Sequence, residues 1–189
     1  MNMRLFIDAC CRDKSRTRWL AEALIGSKMP DYTIRRLFET PICGLDSARL
    51  AQRNALLEKG ETNSEFFFLA REFALADEIV IAAPYWDLSL PARLKAYFEE
   101  ICVLGITFRY TADGNPEGLC KAKKLTYITT AGGYILSDEY GYGYVRALCR
   151  TFYGIQETRL IKAEGLDLAG VNAEQILNEV LKKEKNASI

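Results

Sequence analysis

The segment of residues 10–17 places two hydroxyl side chains, Ser15 and Thr17, and the guanidinium of Arg16 where a helix is predicted to begin. Backbone N–H groups in the first turn of a helix have no partner within it, and together with a cation and hydroxyls they suit a phosphate. The alternative is that Ser15 only caps the helix and Arg16 is a solvated charge.

Two further segments could approach a flat ligand. Residues 84–91 carry the aromatic pair Tyr85-Trp86, which could pack beside a planar ring while backbone N–H groups reach its polar edge. Residues 129–133 end in Gly132-Gly133, and glycines let a backbone come close to a ligand. Each has a plainer interpretation, since the aromatics could be packed loop residues and the glycines a turn.

The chain contains no histidine among its 189 residues. A Ser-His-Asp triad, a Cys-His pair and a mixed Cys/His zinc site are therefore excluded. The cysteines show no C-x-x-C spacing, so we predict no metal site. Chemistry carried by a bound cofactor escapes this restriction, because the protein then supplies mainly position and electrostatics.

Alternating strands and helices are predicted to position these segments. Apolar runs indicate strands at residues 4–10, 32–38, 78–83, 124–129 and 158–163. Helical spacing indicates helices after residue 17 and at residues 46–59, 64–76, 91–103, 144–153 and 172–185, with a frayed tail at 186–189. This pattern predicts one α/β domain over residues 1–189, with helices on both faces of a parallel sheet.

Five such strands match the doubly wound order 2-1-3-4-5 of flavodoxin-like folds, in which ligands lie beyond the carboxyl ends of the strands. The three candidate segments follow predicted strands 1, 3 and 4, so we expect them at one edge of the sheet. Their joint placement predicts a site for a phosphorylated planar ligand.

Charge and cysteine content limit the partners and the compartment. The 25 basic residues balance 25 acidic ones, so no overall field would attract nucleic acid or a membrane surface. No apolar run reaches membrane-spanning length and no secretory segment is recognised, which predicts a soluble cytoplasmic protein with reduced thiols. The vicinal pair Cys10-Cys11 could be a redox switch, but packed thiols are the plainer interpretation.

Three longer stretches of the sequence resemble the flavodoxin-like FMN-dependent NAD(P)H oxidoreductases, which include NADH-azoreductases and NAD(P)H:quinone oxidoreductases. They are APYWDLSLPARLKAYF at 83–98, GITFRY at 105–110 and KKLTYITTAGG at 123–133, and Gly118-Leu119 also matches. Azoreductases usually carry Met-Tyr-Asn-Phe and Ser-Arg-Gly-Gly where this chain has residues 85–88 and 130–133, so the electron acceptor stays open.

The resemblance implies FMN as cofactor, NADH or NADPH as reductant, and a quinone, azo or nitroaromatic acceptor. It places the FMN phosphate at Ser15, Arg16 and Thr17 with Cys10 nearby. It also implies a homodimer with flavin sites at the interface. The isoalloxazine ring would contact Pro84, Tyr85, Trp86, Asp87 and Leu88 on one side and Thr130, Ala131, Gly132 and Gly133 at its pyrimidine edge, with Tyr110 beside the open face where substrates stack.

Three matters remain open from the sequence. Asp87 could contact the flavin, or it could cap the helix near Pro91 or be a solvated loop charge. An FMN electron carrier of the flavodoxin type is the alternative function, although such carriers tend to be strongly acidic and this chain is balanced. An interaction module that has lost FMN is a third possibility.

Overall fold

The computed structural model describes residues 3–187 and shows seven strands and six α-helices over that range. The strands are β1 (Arg4–Asp8), β2 (Tyr32–Arg36), β3 (Glu78–Ala82), β4 (Phe108–Tyr110), β5 (Pro116–Gly118), β6 (Lys124–Thr130) and β7 (Glu157–Ala163). The helices are α1 (Arg16–Ile25), α2 (Ser47–Glu58), α3 (Phe68–Leu75), α4 (Ala92–Ile101), α5 (Tyr144–Leu148) and α6 (Ala173–Asn186).

Five strands form a parallel sheet in the order β2-β1-β3-β6-β7. Because β6 and β7 are the fourth and fifth predicted strands, the predicted order 2-1-3-4-5 is confirmed. Strands β1 and β3 are almost wholly buried, as expected for central strands covered on both faces.

Helices cover both faces of the sheet and create two separate apolar cores. On one face Leu20 and Ala21 of α1 and Leu177 of α6 pack against Phe6 and Val80. The larger core on the other face contains side chains of α3, α4 and the helical segment that includes α5, all packed against β1, β3 and β6.

The helix predicted at residues 144–153 differs in both extent and type. Helical backbone begins at Glu139 and ends at Tyr153, with wide π-turns at Glu139–Gly143 and Cys149–Tyr153 on either side of α5. Gly141 and Gly143 lower helix propensity, which is why the sequence pattern placed the start too late.

Other predicted boundaries needed smaller corrections. A 3₁₀ turn (Glu65–Phe67) precedes α3, and a second (Gly26–Asp31) follows α1. The first two strands end at Asp8 and Arg36, two residues before their predicted ends. The predicted tail at 186–189 is only partly described: Asn186 is the last residue of α6, and 188–189 lie outside the described residues.

A hairpin of β4 and β5 was absent from the prediction. Its strands are antiparallel and only three residues long, too short for an alternating pattern to be seen. Gly118 lies against the backbone of Gly154, so closely that a Cβ there would come within 2.0 Å of the Gly154 nitrogen. Since Gly154 precedes β7, the hairpin base lies at the amino-terminal edge of the sheet.

Candidate functional site

A cleft of about 200 Å³ lies at the carboxyl-terminal edge of the sheet. The segments that follow β1, β3 and β6 all contribute to it, so the expectation that these three segments meet is confirmed. Its lining residues are Cys11, Arg12, Lys14, Ser15, Arg16, Thr17, Pro84, Tyr85, Trp86, Thr130, Ala131, Gly132, Leu166 and Asp167.

The start of α1 forms one wall of this cleft. Ser15 is the N-cap, and its hydroxyl accepts a hydrogen bond from the Arg18 N–H at 3.3 Å. Thr17 is buried, and its hydroxyl lies 2.6 Å from that of Thr130 on β6. Ser15 therefore caps the helix, and both hydroxyls have protein partners. The contact between Thr17 and Thr130 ties the helix to the sheet.

Unpaired backbone N–H groups are concentrated along the same wall. Among residues 3–187, no acceptor faces the N–H groups of residues 11–17. Arg12 and Lys14 also line the cleft, and within the described part of the chain neither forms an ion pair. Several N–H dipoles and two cations thus face one space, an arrangement that favours an anion.

Arg16 is held differently from the expectation. Its Nη2 donates to Asp167 Oδ1 at 2.6 Å and its Nη1 to the Leu166 carbonyl at 3.1 Å. Sequence reasoning missed Leu166 and Asp167, although they follow the fifth predicted strand. The rule that brings the ends of parallel strands to one edge would have included them.

The segment after β3 forms a tight turn beside the cleft. Trp86 and Ser89 exchange backbone hydrogen bonds of 3.0 and 2.8 Å, and Asp87 and Leu88 between them have φ of 49° and 67°. Positive φ at both central residues is typical of a type I′ turn, a conformation that Asp adopts more readily than Leu. The N–H groups of Asp87 and Leu88 have no acceptor among the described residues.

The two central turn residues lie outside the cleft lining. Asp87 is exposed and Leu88 is 59% exposed, whereas Pro84, Tyr85 and Trp86 line the space. Pro91 is the N-cap of α4 without any side-chain hydrogen bond, so Asp87 does not cap that helix. What the structure shows for Asp87 is a position at positive φ in the turn.

The glycine segment closes the opposite wall. A Cβ at Gly132 would lie 2.3 Å from Asp167 Oδ2, so a larger residue there would displace the Asp167 side chain. The Asp167 N–H donates to the Gly132 carbonyl at 2.9 Å, and the Gly165 N–H to the Gly133 carbonyl at 2.8 Å. Gly133 itself does not line the cleft.

The vicinal cysteines lie in different environments. Cys10 is buried in the core, its Sγ donates to the Ala82 carbonyl at 3.6 Å, and burial raises its pKa to about 12. Cys11 is exposed and lines the cleft. Both are free thiols, and a thiolate at Cys10 is strongly disfavoured, so packing accounts for Cys10.

Tyr110 does not line the cleft of its own chain. It lies on β4, 55% exposed, with its ring edge-on to Phe108 at 5.5 Å, and Phe108 packs on Phe152. The base of this hairpin is at the opposite edge of the sheet from the cleft. A single copy of the chain therefore does not bring Tyr110 to the other predicted site residues.

Large apolar side chains are exposed beside the turn of residues 85–89, which we call the aromatic turn. We call the set Leu88, Tyr134, Leu136 and Tyr140 the aromatic face; their exposed fractions are 59%, 65%, 87% and 59%. A groove of about 540 Å³ between Ser89, Lys95 and Tyr144 continues it. The Ser89 hydroxyl donates to the Tyr140 carbonyl, which joins the turn to this surface.

Metal-binding clusters and membrane-spanning helices are both missing from the part of the chain that the structure describes. Residues 3–187 contain no cluster of three or more side chains that could hold a metal ion. In the same range no helix is long and apolar enough to cross a membrane.

Among curated proteins, one relative is "FMN-dependent NADH:quinone oxidoreductase 2" of Clostridium acetobutylicum, 46% identical over 121 residues. That alignment covers 61% of this chain and 60% of the relative. The chain thus spans about three fifths of the length of this curated relative. An FMN-dependent NADH:quinone oxidoreductase of Coprothermobacter proteolyticus is 38% identical over 138 residues, which are 69% of this chain and 68% of the relative.

Among solved structures, an azoreductase from Bacillus anthracis superposes with a TM-score of 0.82 at 24% identity. It covers 100% of this chain and 99% of that chain, and the likeness shows the fold. The family model described as "Flavodoxin-like fold" matches residues 4–186. The match spans nearly the whole sheet-and-helix architecture described above, and this chain belongs to the flavodoxin-like fold family.

Proposed function

We propose that this protein is an FMN-dependent NADH oxidoreductase that passes two electrons to a quinone, azo or nitroaromatic compound. The observation that carries the proposal is the cleft wall at residues 11–17. There, within the described residues 3–187, N–H groups without an acceptor and two cations without an ion pair face the aromatic turn. The names of the curated relatives supply NADH and quinone as the substrates to test.

The residues present fit FMN at both ends of the cleft. Its phosphate carries negative charge, which the N–H groups of residues 11–17 and the side chains of Arg12 and Lys14 would stabilise. Tyr85 and Trp86 offer a flat apolar wall, and Gly132 leaves its edge open to backbone approach. Ser15 and Thr17 serve this site through their backbone N–H groups.

FMN, when bound, would supply the two-electron redox chemistry between NADH and the acceptor. The protein's own task is to orient the ring and to meet negative charge on it with fixed donors. The free N–H groups of Asp87 and Leu88 in the aromatic turn are suited to that task, because a tight turn holds them in place.

The assembly we propose is a homodimer through the aromatic face. Large exposed apolar patches mark interaction surfaces, and symmetric dimers are the commonest soluble assembly. Tyr110 would then reach the cleft of the other copy, where substrates stack.

We also propose one domain over residues 1–189 and a cytoplasmic location, in which the six free cysteines stay reduced.

The test is reconstitution of the purified protein with FMN, followed by anaerobic addition of NADH and then of a benzoquinone. We expect NADH to bleach the visible flavin band and the quinone to restore it. Free FMN with NADH at the same concentrations measures the background rate. Protein that binds no FMN would contradict the proposal, and bound FMN that NADH cannot reduce would favour an electron carrier.

A pair of glycine variants ties the activity to this cleft. Gly132→Val places side-chain atoms in the cleft and against Asp167, and should weaken FMN binding. Gly44→Val is the matched control, because a Cβ at Gly44 meets no atom within 4 Å. Equal FMN binding by both variants would place the flavin elsewhere.

A further inference from the structure

An ion pair between buried Asp8 and partly buried Arg18 lies beneath the N–H-rich wall of the cleft. Asp8, at the end of β1, is 1% exposed and accepts from Arg18 Nε at 2.5 Å. Its other oxygen accepts from the Cys10 N–H at 2.9 Å. Arg36 is a more distant second cation, 3.9 Å away. Asp8 and Arg18 are therefore fixed to each other and to the first residue of the loop.

Arg18 also binds three carbonyl groups of that loop. Its Nη2 donates to the Cys10 carbonyl at 2.6 Å, and its Nη1 donates to the Arg12 and Asp13 carbonyls at 3.1 and 3.2 Å. No other side chain of the described range donates to this loop's carbonyls. The guanidinium thus determines how residues 10–14 are oriented.

Because the peptide bond is planar, the hydrogen bonds from Arg18 to these carbonyls also orient the N–H groups that follow them. In a trans peptide the carbonyl of one residue and the N–H of the next point in opposite directions. Because Arg18 holds the carbonyls of Cys10, Arg12 and Asp13, the N–H groups of the following residues, Cys11, Asp13 and Lys14, point away from it. All three N–H groups lack an acceptor in the described range, and Cys11 and Lys14 line the cleft.

We infer that Arg18 is the positioning residue that holds residues 10–14 as a cradle of N–H donors for a phosphate monoester. The inference rests on the proposed function and deepens it, since it assigns recognition of the phosphate to backbone oriented by Arg18. Arg16, the cation favoured by the sequence, is bound to Asp167 and contributes less.

The geometry requires arginine rather than any cation. Only a guanidinium offers a rigid fork of donors that can reach one carboxylate and three carbonyls together, whereas a lysine ammonium is a point charge on a flexible stem. Arg18→Lys therefore keeps the charge near the phosphate and removes the orientation of the loop. This substitution separates the proposed cradle from simple electrostatic attraction.

The experiment measures the dissociation constants of FMN and riboflavin by fluorescence titration of the apoprotein. The readout is the ratio of the riboflavin constant to the FMN constant, which reports phosphate recognition alone. We expect Arg18→Lys to lower this ratio about tenfold relative to the wild type, as for the loss of a charge-assisted hydrogen bond. Riboflavin affinity should change less than about twofold, which corresponds to about 0.4 kcal/mol.

Arg35→Lys is the matched control. Arg35 is likewise a partly buried arginine that forks onto a buried carboxylate, Glu72, at 2.6 and 3.0 Å, and it does not line the cleft. An unchanged ratio in Arg18→Lys would overturn the inference, and so would an equal loss of both ligands, which indicates a structural role only. A wild type that binds FMN no better than riboflavin would instead refute the phosphate site of the proposed function.

A second variant covers the case in which Arg18→Lys does not fold. Asp8→Asn keeps an oxygen that can accept from the Cys10 N–H, while the charge that anchors Arg18 Nε is lost. The ratio should again fall, by a smaller factor. A ratio equal to that of the wild type in this variant would overturn the inference in the same way.

Discussion

The two ends of the cleft hold their ligand-facing groups in different ways. At the end formed by residues 10–17, Asp8 and Arg18 fix the backbone through a network anchored on buried Asp8, in which the hydrogen bonds are 2.5–3.2 Å long. At the other end the turn of Asp87 and Leu88 is exposed and held by two backbone hydrogen bonds, beside uncovered apolar side chains.

This contrast indicates that the two ends of the cleft recognise different parts of the ligand. A phosphate is small and always charged, so a rigid set of donors prepared in one chain can recognise it. A flat ring needs a wall and a cover, and the aromatic face is left open by a single chain. We therefore expect the phosphate end to be complete in a monomer and the ring end to be complete only in the assembly.

The largest effect should come from breaking the network at the phosphate end. Arg18→Leu leaves the Asp8 carboxylate buried without its main partner, and such a loss typically costs about 3–5 kcal/mol. Urea denaturation of the apoprotein measures the free energy of unfolding. Arg109→Leu is the control, because its pair with Glu117 is exposed to solvent and should contribute little to stability. Similar losses in the two variants would contradict the network.

At the ring end, the next largest effect should be on assembly. Tyr140→Asp puts a charge into the aromatic face and should weaken the proposed dimer by roughly 2 kcal/mol or more, because a desolvated, unpaired charge is costly. Light scattering should then report 21.4 kDa in place of twice that mass. Leu75→Asp alters another exposed apolar residue, on α3, and should leave the dimer intact. A wild-type mass of 21.4 kDa at micromolar concentration would refute the dimer.

A substitution at Asp167 also tests the phosphate end, with a smaller expected effect. Here the expected result is a higher affinity for FMN. Asp167→Asn removes the only acidic side chain that lines the described cleft, while its amide oxygen can still accept from Arg16. We expect FMN to bind about three- to fivefold more tightly at low salt, with the gain fading as salt is raised. Asp113→Asn, in the hairpin turn, is the control for net charge. Weaker FMN binding would mean that Asp167 contacts the ligand favourably.

The smallest effect concerns the turn at the ring end. Leu88 has φ of 67°, a conformation that costs a residue with a Cβ about 1–2 kcal/mol. Leu88→Gly relieves this cost and, after the larger unfolded-state entropy of glycine, should stabilise the protein by about 0.5–1 kcal/mol. The melting temperature should rise by roughly 1–4 °C in calorimetry, and Leu88→Ala should show no such rise. A lower melting temperature for Leu88→Gly would show that the side chain packs.

Local pattern sufficed for most of the fold. The apolar runs around Ile7, Ile81 and Ile128 predicted the central strands, and their alternation with helices predicted the sheet order that the structure has. The π-turns around α5 and the three-residue strands of the hairpin could not be predicted. The π-turns contain glycines, which weaken the helical pattern. The hairpin depends on the close contact of Gly118 with Gly154, which are far apart in the chain.

For the candidate site, the sequence by itself determined which segments meet, because parallel strands bring their carboxyl ends to one edge of the sheet. Only the tertiary structure decided what each side chain does there. Arg16 and Arg18 are the same residue type two positions apart on one helix, yet one binds Asp167 and the other binds Asp8 and three carbonyls. The partners that distinguish them lie on β1 and beyond β7, and no local pattern encodes a contact between residues 150 positions apart.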